Sequence, residues 1–391
     1  MKTIPFFAAM LFCTITFAQN YNEALVPAYT LPDPLITLNN RPVKNVKSWE
    51  QTRRPEILRL FENLVYGQMP KTFDRISYTP VRESRSAMNG HAILKETRVM
   101  VYHHGDSVSI DVTLFIPKAA KGAVPVFLLI NNRPKKNTDA DRKEKSAFWP
   151  AEMVIDSGYA VAAFHVSDLA PDDKIKYPEG ALRLYPEMLQ QPNGMKAIGS
   201  WAWGASRVMD YFEQEPLVNA KQVVLVGHSR GGKTSLWAAA QDQRFAICVS
   251  NCSGNTGAAL SRRQFGERIS RINTVFPHWF CNNYKQYNDK ENDLPVDQHM
   301  LISLIAPRPV YATNATKDLW ADPTGTFLAM KNAEKVYALY RKSSQLPAAP
   351  PAVNEAVVNS TLGYHNREGE HDMTEFDWRQ FIRFARHHFG K

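Results

Sequence analysis

Five short runs along the chain are almost continuously apolar: VPVFLLIN (124–131), YAVAAFHV (159–166), VVLVG (223–227), FAICVSN (245–251) and RPVYATN (308–314). Strands read this way when helices cover both faces of a parallel sheet. Residues 196–213 and other stretches between these runs carry helical spacing, and strand–helix alternation predicts a doubly wound α/β sheet. Ahead of them, HAILKETRVMVYHH (91–104) and SVSIDVTLFIP (107–117) alternate apolar with polar residues and predict a hairpin opening the sheet. WEQTRRPEILRLFENLVY (49–66) has apolar residues at helical spacing with charges between them, so it predicts a surface helix packed on the main body. Residues 20–50, rich in Pro and Asn, predict an extended arm. The polar stretches 134–146 and 284–297 and the Pro/Ala segment 345–353 predict loops. We expect one catalytic domain over 19–391, with an N-terminal arm over about 19–90.

Composition adds size and location. A chain of 391 residues, 44% hydrophobic and 22% charged, buries a large core. Its opening, MKTIPFFAAMLFCTITFAQN, joins one lysine, a short apolar run and Thr-Phe-Ala, the pattern of a secretory signal cleaved after Ala18. An exported protein, periplasmic or secreted and without a membrane anchor, is the expectation. The formal net charge is +9, or +8 once Lys2 leaves, but the cations are dispersed. No basic–aromatic array of the nucleic-acid-binding kind is present. Cys248, Cys252 and Cys281 lie beyond the signal; their spacing is not that of a zinc site, and a Cys252–Cys281 bridge is open. No H-E-x-x-H or clustered ligand set calls for a metal, and no cofactor is expected.

The chemistry centres on Gly227-His228-Ser229-Arg230-Gly231, which matches G-x-S-x-G between a strand and a helix. Glycines remove β-carbons where that turn is crowded and leave the serine hydroxyl exposed near a helix N-terminus. A serine nucleophile needs a base, and in α/β-hydrolases the acid and the histidine follow it in the chain. Among the late histidines, His371 lies in the polar loop REGEHDMT ahead of a terminal helix and is the preferred base, with His365 as the alternative. The acid is expected after the strand ending VYATN, where ATKDLWADP offers Asp318 and Asp322. Asp318 comes first and is favoured; Asp322 precedes a proline and suits a turn-capping role. The elbow positions the Arg230 N–H for an oxyanion, and the loop starting Asn131-Asn132-Arg133 is a second donor candidate. Trp201 and Trp203 are assigned to the core and Arg207 to a structural ion pair.

The motif GHSRGGK, in which arginine follows the serine and lysine comes three residues later, resembles the signature of the glucuronoyl esterases, carbohydrate esterase family 15. The segments RRPEILRLFENLVYG (53–67), WAWGASRVMDY (201–211), SGNTGAALSRRQFGER (253–268), APRPVY (306–311), DLWADPTG (318–325) and HNREGEHDMTEFDW (365–378) extend the resemblance over most of the mature chain. It implies an α/β-hydrolase fold, with Ser229 as nucleophile, His371 as base and Arg230 at the oxyanion hole. It further implies Lys233 on sugar hydroxyls, and Glu267 and Trp320 along the uronate pocket. Fungal members carry their acid where this chain has Cys252, so the arrangement implied is that of bacterial members, with Asp318. His228 replaces the cysteine of the G-C-S-R form and is expected to face away from the substrate. The implied reaction is hydrolysis of (4-O-methyl-)glucuronic acid esters such as those joining glucuronoxylan to lignin alcohols, by a monomer. A broader acetyl or feruloyl carbohydrate esterase, and a noncatalytic carbohydrate-binding homologue, are the alternatives.

Overall fold

The computed structural model describes residues 19–342 and 346–390, so the secretory signal expected over residues 1–18 lies outside the described residues. Ten strands form one sheet: β1 Arg75–Ser86, β2 Ala92–His103, β3 Asp106–Pro117, β4 Val124–Asn131, β5 Ala160–His165, β6 Val218–His228, β7 Ile247–Asn251, β8 Val310–Ala315, β9 Ala356–Val357 and β10 Leu362–Arg367. Their order is β1-β2-β3-β5-β4-β6-β7-β8-β10-β9. From β5 through β10 neighbours run parallel; β1, β2 and β3 form an antiparallel wing that joins at β5, and β9 runs antiparallel on the far edge. This is the α/β-hydrolase architecture.

The expected apolar strands are present because each has two faces to bury. In β4, Leu128 and Ile130 face a core with Ile57, Phe61, Trp201, Leu236 and Trp237; Phe127 and Leu129 face the opposite layer with Trp149, Trp378 and Phe381. That division follows from the two-residue period of a strand. Helices Arg54–Leu64, Ala197–Phe212, Arg230–Gln241 and Pro323–Leu339 supply the first layer, and Ala151–Asp156 and Glu375–Phe389 the second. Trp201 and Trp203 are core residues, and Arg207 pairs with Asp210 at 2.7 Å.

Two elements departed from the expectations. The arm over about 19–90 contains β1, whose residues are mostly exposed and polar, so no buried face marked it as a strand. The stretch around His365, the alternative base, is strand β10, paired in parallel with β8. The Cys252–Cys281 bridge is not formed: Cys248, Cys252 and Cys281 are all free and buried. Cys252 Sγ lies 3.8 Å from the Asp372 carbonyl and Cys281 Sγ 3.9 Å from that of Asn63, so the two thiols serve different parts of the fold.

Two arginines, Arg54 buried and Arg308 partly buried, hold the far end of the helix Arg230–Gln241. Arg54 Nη2 donates to the Ala240 carbonyl at 2.8 Å, and Arg308 Nη2 to that of Ala239 at 2.6 Å. The last carbonyls of a helix lack intrahelical donors and carry partial negative charge, which suits a cation there. The near end of this helix is the serine turn. No helix among the described residues is long and apolar enough to cross a membrane.

Candidate active site

The turn begins where β6 ends. Ser229 has φ 54° and ψ −124°, a conformation that L-residues other than glycine rarely adopt and that costs about 1–3 kcal/mol. Its surroundings enforce it. The Ser229 N–H donates to the Asn251 carbonyl at 2.8 Å, and the Ser229 carbonyl accepts from the N–H groups of Gly232 and Lys233 at 2.8 and 3.1 Å. A β-carbon on Gly227 would lie 2.0 Å from the Gly231 carbonyl oxygen, so the strand can turn into this helix only with glycine there. Ser229 and Arg230 remain partly exposed at the start of the helix.

Asp318 follows β8 and is buried; its Oδ2 accepts from His371 Nδ1 at 2.6 Å. A carboxylate only accepts, so the histidine proton sits on Nδ1 and Nε2 keeps its lone pair. His371 and Ser229 line one cavity of about 320 Å³ together with Arg230, Lys233, Glu267 and Trp320. All seven residues singled out in the sequence therefore meet at this cavity, since Asp318 lines it too. The alternatives are used elsewhere. Asp322 accepts from the Gly325 N–H at the start of the helix Pro323–Leu339 and pairs with Arg263 at 2.8 Å. His365 is fully buried, donating through Nε2 to Asp377 and accepting at Nδ1 from the Tyr311 hydroxyl, both at 2.9 Å.

Lys233 is not the set of free donors that a sugar contact implies. Its Nζ lies 2.6 Å from Glu267 Oε2 and 2.7 Å from the Ser253 carbonyl, and it also donates to the Asn255 carbonyl. Burial pulls the Lys233 pKa down and pushes that of Glu267 up; each is partly offset by the charge of the other. The two act as one polar unit in the cavity wall, beside Trp320, whose carbonyl accepts from the Glu267 N–H at 3.0 Å.

His228 does not line the cavity, yet it touches His371: the two imidazole rings lie 4.6 Å apart. Its Nδ1 is 2.6 Å from Asn251 Oδ1, and Arg133 Nη2 donates to its Nε2 at 3.2 Å. Burial, then the neighbouring His371 and Arg133, pulls its pKa well below the ordinary histidine value. A neutral ring thus backs His371. Arg133 also reaches Asp372, the residue after His371, at 3.2 Å.

Several residues of the site carried no sequence signal. Asp172, on the loop after β5, lies 2.6 Å from Arg230 Nε, while Arg230 Nη2 donates to the Asn132 carbonyl at 2.9 Å. Thus Asn132 contributes a carbonyl that anchors Arg230. Trp279 and Phe276 form a stacked pair in the cavity wall, 3.9 Å apart and within 3° of parallel. A location beyond the carboxyl end of a strand was the one available hint for Asp172. Cys252, Asp318 and His371 are the one group of potential metal ligands among the described residues, their ligand atoms within 4.8 Å. Asp318 and His371 are already bonded to each other, and burial holds the Cys252 thiol protonated, so this set is poorly suited to an ion.

A serine on a strained strand-to-helix turn, with a histidine–aspartate pair in the same cavity at the carboxyl edge of a mostly parallel sheet, defines a member of the α/β-hydrolases. Residues 99–340 match the model of the family described as glucuronyl esterase, fungi. The chain is 41% identical to carbohydrate esterase MZ0003, from an unknown prokaryotic organism, over 94% of this chain and 92% of that one. It is 26% identical to the 4-O-methyl-glucuronoyl methylesterase of Schizophyllum commune, over 84% and 79% of the two chains. The solved glucuronoyl esterase from Solibacter usitatus superimposes with a TM-score of 0.87 at 37% identity, covering 94% of this chain and all of that one. The chain belongs to the glucuronoyl esterases of carbohydrate esterase family 15 and is a carboxylic ester hydrolase.

The loop bearing His371 depends on Asp377. This fully buried carboxylate accepts from Arg367 Nε at 2.9 Å, His365 Nε2 at 2.9 Å, the Thr374 N–H at 2.7 Å and Asn251 Nδ2 at 3.2 Å. Burial opposes its charge, but His365, Arg367 and the Thr374 N–H outweigh burial and hold its pKa below the ordinary value. A depressed carboxylate stabilises the fold above its unfolded pKa, about 3.9, and loses that contribution as pH falls toward the folded value. Asp377→Asn should therefore lower the urea midpoint at pH 7, by about 3–5 kcal/mol in stability, as expected when one partner of a buried pair is removed. Repeating the titration at pH 3 should show a smaller gap between variant and parent. A gap that does not narrow would mean the charge of Asp377 contributes nothing.

Proposed function

We propose that this protein hydrolyses esters of glucuronic and 4-O-methyl-glucuronic acid through a covalent acyl-enzyme on Ser229. The observation that carries this reading is one cavity in which Ser229 and the His371–Asp318 pair meet a buried Lys233–Glu267 unit. A general acetyl ester offers nothing for that polar wall to bind, whereas a sugar acid presents ring hydroxyls.

In the proposed cycle His371 Nε2 takes the Ser229 hydroxyl proton as Oγ attacks the ester carbonyl. The electron pair of the carbonyl moves to its oxygen, where the Arg230 N–H and guanidinium stabilise it; one such donor is worth about 3–4 kcal/mol in a related case. The intermediate collapses, and the alcohol departs with the proton carried by His371. Water then repeats the sequence against the acyl-enzyme, releasing the uronate and restoring Ser229. Asp318 holds the Nδ1–H tautomer and stabilises the transient imidazolium. Lys233 acts by fixing Glu267 at the sugar end of the cavity, with Trp320 beside it. Esters between glucuronoxylan and lignin alcohols are the natural substrates proposed, reached by an exported enzyme; residues 1–18 support the export.

Asp318→Asn should lower kcat on benzyl glucuronate by about 10⁴-fold, the loss seen when a triad acid can no longer fix the tautomer. Asp322→Asn should instead shift the thermal midpoint and retain most of the turnover. Ser229→Ala serves as the baseline. Turnover by the Ser229 variant equal to that of the parent would discard the nucleophile, and the opposite ranking of the two aspartates would move the acid.

Lys233→Met leaves Glu267 without its counter-charge and tests the substrate class. Its kcat/KM on benzyl glucuronate should fall about 10–100-fold, while that on phenyl acetate stays within about threefold. Both substrates are assayed on one preparation, so their ratio is unaffected by any misfolded fraction. Equal losses would make Lys233 a support of the serine turn and return the protein to the broader esterases.

A further inference from the structure

Arg230 is a flexible side chain asked to hold one position at the reacting carbonyl. An arginine has about 2 kcal/mol of rotamer entropy to lose, and a site that has already fixed it spares that loss when the transition state forms. The fixing is visible. Arg230 Nε lies 2.6 Å from Asp172 Oδ2, and Nη2 donates to the Asn132 carbonyl at 2.9 Å. One hydrogen bond, at Nη2, and one close charge contact, beside an Nε–H that is not aimed at the carboxylate, hold the guanidinium in place.

The other oxygen of Asp172 does different work. Its Oδ1 accepts from His278 Nε2 at 2.8 Å and from the indole N–H of Trp279 at 2.7 Å. Trp279 in turn stacks on Phe276, and both line the cavity. One carboxylate thus joins the cation beside the nucleophile to the aromatic wall. Burial opposes its charge but is outweighed by the hydrogen bond from His278, the charge of Arg230 and the bond from Trp279, so the carboxyl stays ionised well below neutral pH.

We propose that Asp172 is a positioning residue of the esterase: it holds the Arg230 guanidinium at the oxyanion site and ties that position to the Trp279–Phe276 wall. The inference rests on the reading of Ser229 as nucleophile and Arg230 as oxyanion donor. Its effect falls on the transition state, so kcat should respond and KM should not.

The test is a cycle of Asp172→Asn, Arg230→Met and the double variant, in the full chain, assayed on benzyl glucuronate. Active sites are counted by a serine-directed fluorophosphonate, so misfolded protein does not enter kcat. Asp172→Asn should lower kcat about 10–100-fold, the scale of a displaced catalytic group, with KM within about threefold. In the Arg230→Met background the same change should cost less than about threefold, because there is no guanidinium left to hold. Unchanged kcat in Asp172→Asn, or losses that multiply in the double variant, would overturn the positioning role and leave Arg230 as oxyanion donor intact. Unchanged kcat in Arg230→Met would overturn the oxyanion assignment itself, and the role of Asp172 with it.

Discussion

The left-handed backbone at Ser229 is the constraint on which the site depends. A serine held at φ 54° would relax into ordinary backbone if its neighbours allowed it. They do not, because its N–H is taken by the Asn251 carbonyl on β7 and its own carbonyl by the first turn of the helix. The turn also needs Gly227, where any β-carbon would collide with the backbone of Gly231. At the other end of that helix Arg54 and Arg308 bind the final carbonyls, so it is fixed along its whole length. Strain of this kind persists only where the surrounding structure over-determines it. Here the parallel sheet, its two covered faces and the capped helix all contribute to that.

Around this turn three carboxylates, Asp318 and Asp377 buried and Asp172 nearer the surface, divide the positioning. Asp318 orients His371, Asp377 anchors the loop that carries it, and Asp172 lies against Arg230. Each is held beside a cation or a histidine, which is the condition for keeping a charge in a poorly solvated place. Glu267 meets the same condition with Lys233, and burial shifts both members of that pair toward neutrality. The pair is consequently a sensitive part of the cavity: removing either member strands the other.

What could be read from the sequence was what is local in it. The apolar runs announced β4 through β8, and the G-x-S-x-G turn announced itself by its strand and helix. His371 and Asp318 were legible because chain order and a polar loop limit the choices after Ser229. The choice between Asp318 and Asp322 needed coordinates, since only they reveal that Asp322 is committed to Arg263 and the Gly325 N–H. Asp172 was not legible, because its partners Arg230, His278 and Trp279 are distant in the chain and nothing in SDLAPDDK marks one acid among three. Asp377 was hidden in the same way inside an ordinary amphipathic helix. β1 was missed for the opposite reason: its faces are too exposed to leave a pattern.

His228 joins these two kinds of legibility. Its place in the motif is plain, and its side chain does not line the cavity, but lying outside the cavity wall is not the same as standing apart from the chemistry. Asn251 holds its Nδ1 and Arg133 its Nε2, so the ring is neutral and fixed in a single tautomer. A second charged imidazole 4.6 Å from His371 would oppose the positive charge that the proposed cycle places there. A neutral ring does not. Arg133 reinforces the arrangement by also holding Asp372, so the residue beside Ser229 and the residue beside His371 are tied by one guanidinium. Neighbours of Ser229 and of His371 thus form a second connection between turn and loop, independent of the Asp318–His371 bond.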